Sequence, residues 1–126
     1  MTIYQIQLTA TTIADGSATV NGEERVFGML HAVEWIDGNF DDGVDATLSC
    51  QSTVSGVAQT LLTLTNANDD AIYYPRAIVH SEAGAALTGT TGGDRGRMIL
   101  NGKLRLVIAQ GGNVKTGGCI VYYTKE

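Results

Sequence analysis

Apolar and polar residues alternate along most of this chain, and no segment of useful length carries a helical stripe. Alternation with a period of two puts apolar side chains on one face of a strand, so the pattern dictates sheets that bury one face. Thr2 to Ala10 sets Tyr4, Ile6, Leu8 and Ala10 on one face and Gln5, Gln7 and Thr9 on the other. Val44, Ala46, Leu48 and Cys50 form a second such set, followed by Gln59 to Thr65, Ala71 to His80 and Cys119 to Thr124. Asn21-Gly22 and Asn101-Gly102 stand between apolar runs, and Asn-Gly in that setting is a strong hairpin signal because a type I′ turn needs two positive φ angles. We therefore expect hairpins at both dipeptides.

Glu24 to Ile36 reads as one long strand. Strict alternation groups Phe27, Met29, His31, Val33 and Trp35 on one face and Val26, Leu30, Ala32 and Ile36 on the other. A strand apolar on both faces is covered on both, by a sheet, a loop or another subunit. Gly28 within it marks a bulge or a close approach, and Pro75 marks an edge or a bulge in its own strand. The expected fold is all-β: a two-sheet sandwich, jelly-roll-like, of about eight strands in one domain spanning residues 1–126. Its expected core comprises Ile6, Leu8, Phe27, Leu30, Val33, Leu48, Leu62, Ile78, Leu106, Ile108 and Val121.

Charged residues make up 17% of the chain, against roughly 25% in an average soluble domain. Either a partner covers part of the surface, or Ser, Thr, Asn and Gly carry solubility instead. The net charge is −5, and the densest basic region is Arg95, Arg97, Lys103 and Arg105. Phosphate binding needs a more concentrated footprint, so no direct nucleic-acid role is expected. No apolar stretch approaches transmembrane length and the N-terminus has no secretory signal, so we expect no membrane role and synthesis in a cytoplasm. Cys50 and Cys119 lie far apart in apolar runs; free buried thiols are expected, with a single bridge as the alternative.

Motifs with chemistry are weak. Asp37, Asn39 and Asp41 match the first ligands of a calcium loop, but Asp42 stands where glycine is needed and Leu48 where the bidentate glutamate belongs. We expect no metal and no cofactor. His80-Ser81-Glu82 holds the residue types of a hydrolytic triad, yet neighbours on a strand point to opposite faces, and no nucleophile elbow is present. No enzyme activity is expected. Gly89 to Gly96 is glycine-rich without the lysine of a phosphate loop, and lies in a connection of about sixteen residues, long enough to suggest ordering by a partner. Trp35, Phe40, Tyr73, Tyr74, Tyr122 and Tyr123 are candidate sugar-stacking aromatics that also suit a core and its rim. Trp35, Phe40, Tyr74, Arg76, Arg95 and Arg97 are the interface candidates.

Three stretches carry a resemblance. They are Glu34-Trp35-Ile36-Asp37-Gly38-Asn39-Phe40-Asp41-Asp42-Gly43-Val44-Asp45; Tyr73-Tyr74-Pro75-Arg76-Ala77 with His80 and Gly84-Ala85-Ala86-Leu87; and Leu104 to Gly112 followed by Lys115-Thr116-Gly117-Gly118. Together they resemble small β-rich virion proteins of tailed bacteriophages, over roughly the last two-thirds of the chain. The resemblance implies a virion protein, made in the host cytoplasm. Its implied role is a capsid decoration or cement protein that binds the major capsid protein as a homo-oligomer, with a trimer favoured. A head–tail connector or tail component is the alternative, and a glycan- or receptor-binding module a second one.

Overall fold

The computed structural model describes residues 2–78, 80–86 and 95–125. Nine strands and no helix are present among them: β1 (Thr2–Thr11), β2 (Ala18–Ile36), β3 (Asp45–Gln51), β4 (Ala58–Leu64), β5 (Ala71–Tyr73), β6 (Ala77–Ile78), β7 (Arg95–Gly96), β8 (Ile99–Ala109) and β9 (Thr116–Lys125). The main sheet runs β1-β9-β2-β8-β3-β4, with β5 also on β2, and β6 and β7 form a second, two-stranded sheet. All described pairs are antiparallel. The pairing is nested, first strand with last and second with next-to-last, as in a long ribbon rolled up, which is the jelly-roll-like principle.

Strand β2 serves two layers. Ala18 to Met29 pairs with β8, whereas Met29 to Ile36 pairs with β9, and Val33 to Trp35 also with β5. The layer β1-β9-late β2-β5 faces the layer early β2-β8-β3-β4. Val33, Trp35 and Cys119 from the first and Ala46, Leu48, Leu62, Leu64 and Leu106 from the second line one narrow apolar gap between them. Strand β8 alternates strictly, with Leu100, Leu104, Leu106 and Ile108 each 1% exposed.

Both expected Asn-Gly hairpins are absent. Asn101 and Gly102 lie inside β8, held extended because Lys103 beside them pairs with β2 on one side and β3 on the other. Asn21 and Gly22 lie inside β2, at an irregularity where the register passes from Asn21↔Arg105 to Arg25↔Lys103. Two-sided pairing overrides the local turn preference. Gly102 instead admits a close approach: its φ is +139° and a Cβ there would strike the carbonyl oxygen of Gln51. Gly28 likewise lets β2 pass the carbonyl of Thr124, which a Cβ would strike.

The two apolar faces expected of Glu24 to Ile36 prove to be one face with a phase change. Leu30 pairs with Tyr123 and Ala32 with Tyr122, so His31 is an extra residue. A bulge of this kind shifts every later side chain to the opposite face. Val26 and Leu30 point inward before it, Val33 and Trp35 after it, all at 1% exposure or less. Phe27, expected in the core, is 51% exposed because it precedes the shift. Ile6, Leu62 and Ile78 are half-buried, and the remaining expected core residues are buried. A second bulge puts Leu61 out of register in β4, between Leu48↔Leu62 and Ser49↔Thr60. The strand expected from Ala71 to His80 breaks at Tyr74-Pro75-Arg76 into β5 and β6. The glycine-rich stretch falls outside the described residues except for Arg95 and Gly96.

Leu106→Ala should cost about 2–5 kcal/mol in urea denaturation, from lost transfer energy plus the cavity left behind. Phe27→Ala should stay within about 0.5 kcal/mol if no neighbour covers it.

Candidate functional site

Arg97 and Arg76 converge on the β2 bulge. A bulge leaves carbonyls without ladder partners, and a guanidinium carries five donors in a rigid fork. Arg97 donates from Nε to the Leu30 carbonyl (3.2 Å), and from Nη2 to the Met29 carbonyl (3.2 Å) and Thr124 Oγ1 (2.6 Å). Arg76 donates from Nη1 to the carbonyls of His31 (3.2 Å) and Pro75 (2.8 Å). The Leu30 amide donates to the Met98 carbonyl (2.8 Å), which fixes the segment carrying Arg97. Tyr74, 59% exposed, meets the His31 ring edge-on with centroids 6.1 Å apart. Three of the six interface candidates thus gather at one irregularity, and the two arginines are occupied there by backbone. Arg95 sits opposite Ile78 in the small sheet and is exposed.

Trp35 and Phe40, also interface candidates, are core residues, 1% and 5% exposed. Their rings stack at 5.8 Å, and Trp35 Nε1 donates to the Ala67 carbonyl (2.9 Å). That bond ties the 66–70 turn over the acidic loop. Of the other aromatics, Tyr123 is buried and Tyr122 donates its hydroxyl to Glu34 Oε1 (3.0 Å). The set does not assemble into one exposed stacking platform.

The acidic loop uses its side chains on backbone. Asn39 Oδ1 accepts the Thr116 amide (2.7 Å), Asn68 Oδ1 that of Gly43 (2.7 Å), Asp45 Oδ1 that of Asn66 (3.0 Å), and Asp70 Oδ1 that of Asp37 (2.8 Å). Among the described residues no group of three or more His, Cys, Asp or Glu side chains comes together to hold a metal. Asp37 Oδ1 is buried without a hydrogen-bond partner. Desolvation, then the charges of Asp70, Asp42 and Asp69, raise its pKa above the ordinary 3.8. Cys50 and Cys119 are free thiols, and burial pushes Cys119 up to about 12. Ser81 Oγ accepts the Ala85 amide (3.3 Å), a turn contact.

Among the described residues, β1 and β4 are the two ends of the six-strand path, and the short β5 is a further edge beside β2. β1 contains no charged residue, proline or glycine, and pairs with β9 in unbroken register from Thr2 to Thr11. β4 is also uncharged. A groove beside the β1 edge is lined by Ile6, Leu8, Val20, Glu23 and Leu104 among others.

No family model matches the chain, and no curated protein matches it. Among solved structures it is similar to one described as the crystal structure of FLHE, at 14% identity and a TM-score of 0.43, over 99% of this chain and 100% of that one. It is also similar to the virus-like particle of the giant freshwater prawn Macrobrachium rosenbergii extra small virus, at 10% identity and a TM-score of 0.23, over 100% of this chain and 82% of that one. At these values neither likeness bears on function.

Two predictions test the site. Arg97→Lys should destabilise the chain by about 1–3 kcal/mol in denaturant titration, since one ammonium cannot serve three separate acceptors. Asp37→Asn should raise the melting temperature at pH 7. A carboxyl whose folded pKa is raised binds its proton more tightly folded than unfolded, so stability falls as pH rises through the unfolded and then the folded pKa. The advantage of the variant should therefore vanish well below pH 3.8, the ordinary value; equal melting at both pH values would refute the assignment.

Proposed function

We propose that this chain is a non-enzymatic structural protein of a bacteriophage particle: a decoration protein that joins with its own copies, as a trimer in the first instance, and binds the lattice of the major capsid protein. The observation that carries the reading is the unguarded β1 edge. Exposed edges invite pairing with other chains, and monomeric proteins blunt them with lysine, proline, bulges or a covering segment. β1 has ten residues and none of the first three devices. Ile3 and Tyr4 on it are 52% and 39% exposed. β4 offers a second neutral edge, and joining β1 of one copy to β4 of the next is a heterologous contact that closes a ring where the rotation permits. The sequence resemblance supplies the particle. The face of β2 once expected to need a covering subunit lends no support, because the bulge turns its apolar residues inward.

A decoration protein of this kind binds the assembled shell and stabilises it by mass action. Many identical weak contacts on a closed lattice then add by avidity.

Sedimentation and virion imaging test this. The wild-type chain should sediment as an oligomer, and Gln5→Lys with Gln7→Lys on the exposed side of β1 should yield monomers that still unfold cooperatively, at a melting temperature no longer dependent on protein concentration. Imaging should find many copies over the capsid. A monomeric wild type present in a few copies near the portal or tail would reject the decoration role and favour the head–tail alternative.

A further inference from the structure

The chain has eight lysines and arginines, and six are engaged within it, five of them outside β2 and β8. Arg76 and Arg97 hold β2 carbonyls, Lys115 lies 4.0 Å from Asp41, Lys125 Nζ sits 4.8 Å from the Tyr4 ring centre, and Arg95 also has a partner. The other three, Arg25, Lys103 and Arg105, stand together on the outer face of β2 and β8. Arg25 is directly opposite Lys103, and Arg105 follows on the same face. Arg105 donates to the neutral Asn21 Oδ1 (2.8 Å), and neither Arg25 nor Lys103 makes an ion pair among the described residues. Their neighbours across on β3 are Gln51 and Ser49, not carboxylates.

Facing residues of an antiparallel pair have Cβ atoms about 5 Å apart, and like charges there are destabilising. β3 and β8 place no acidic residue beside this pair; the nearest carboxylates along the chain are the exposed Glu23 and Glu24, which precede Arg25 at the β2 irregularity, and neither forms an ion pair with it. Exposed apolar side chains adjoin the cations: Phe27 (51%), Ile99 (62%) and Val107 (38%). Phe27 pairs with Asn101, and Met29 with Ile99, so Phe27 and Ile99 are diagonal neighbours on that face.

We infer that the outer face of β2 and β8 docks an acidic protein surface, with carboxylates on Arg25, Lys103 and Arg105 and an apolar contact on Phe27 and Ile99. The inference deepens the assembly reading and rests on it: the β1 edge joins copies, and this face meets the partner. Charge complementarity selects the occupant. Three cations interleaved with apolar groups on a chain of net charge −5 are too sparse for a phosphate backbone.

The test uses a fluorescent peptide of alternating glutamate and leucine, a single-stranded DNA 20-mer and phosphatidylserine vesicles, each titrated with the full chain at low salt. The wild type should bind the peptide more tightly than the other two. Lys103→Glu should weaken peptide binding more than tenfold while leaving the melting temperature unchanged or raised, because it converts a like-charge pair into an Arg25–carboxylate pair. Lys125→Glu, with the same net charge but off the face, should bind as the wild type does. No peptide binding, equal binding by Lys103→Glu, or tighter binding of DNA or vesicles would overturn the inference. Peptide binding reports on this face alone, whereas sedimentation of the β1 variant reports on assembly, so the two can fail separately.

Discussion

The extra residue at His31 is the constraint on which the architecture depends. A strand with unbroken alternation presents one face to one layer. β2 must contribute Val26 and Leu30 opposite β8, then Val33 and Trp35 opposite β3 and β4, and it bends from one layer into the other between them. The bulge supplies the bend and the phase change at once. It also leaves the carbonyls of Met29, Leu30 and His31 facing side chains in place of a regular ladder. Arg97 and Arg76, from the segments beside β8 and β5, satisfy them. Donors that carry charge make these bonds stronger than neutral ones, which suits a joint carrying both layers.

Close backbone approach completes the joint. Gly28 lies one residue before Met29, against the Thr124 carbonyl, and Thr124 in turn accepts from Arg97. A side chain at Gly28 would push β9 from β2 where the layers separate. Gly102 plays the corresponding part against Gln51. Because β1 pairs with β9 and β2 with both β8 and β9, these contacts join residues far apart in sequence. Local preferences therefore have little say in where the chain turns.

That explains which features the sequence discloses. Period-two alternation discloses β1 and β3 with their buried faces and the latter part of β9, because each is a regular strand with one face inward, whereas β8 is divided in the reading by the hairpin expected at Asn101-Gly102. It misplaces Phe27, since nothing in an alternating pattern states where a residue has been inserted. A signal is nonetheless present: adjacent apolar residues, Ala32-Val33 and Leu61-Leu62, occur at or next to the bulged positions. Asn101-Gly102 misleads because its glycine answers to a tertiary contact with Gln51. Arg97 and Arg76 read as interface anchors because their acceptors, carbonyls on a distant strand, have no sequence signature. Arg25 is missed in the basic face for the same reason, as its neighbour Lys103 lies on a strand three-fifths of the chain away.

A fold this dependent on internal pairing would gain stability from guarded edges and opposed charges on its outside. The chain does the reverse at two places. β1 carries no charge along an open edge, and Arg25 faces Lys103 with no carboxylate opposite from β3. Substitutions that would improve both are single exchanges on exposed positions, with no core to rearrange. Features that lower the stability of the isolated chain yet are simple to remove point to a state in which they are covered, and natural proteins accept such local costs where association requires them. On the proposed assembly the edge would be satisfied by backbone donors and acceptors of another strand, and the cations by carboxylates of another surface. These are different chemistries, backbone pairing and charge pairing, so one kind of contact cannot satisfy both. A neutral open edge and a separate basic face are what the proposed lattice calls for, in which each copy would meet its own kind along one direction and a different protein along another.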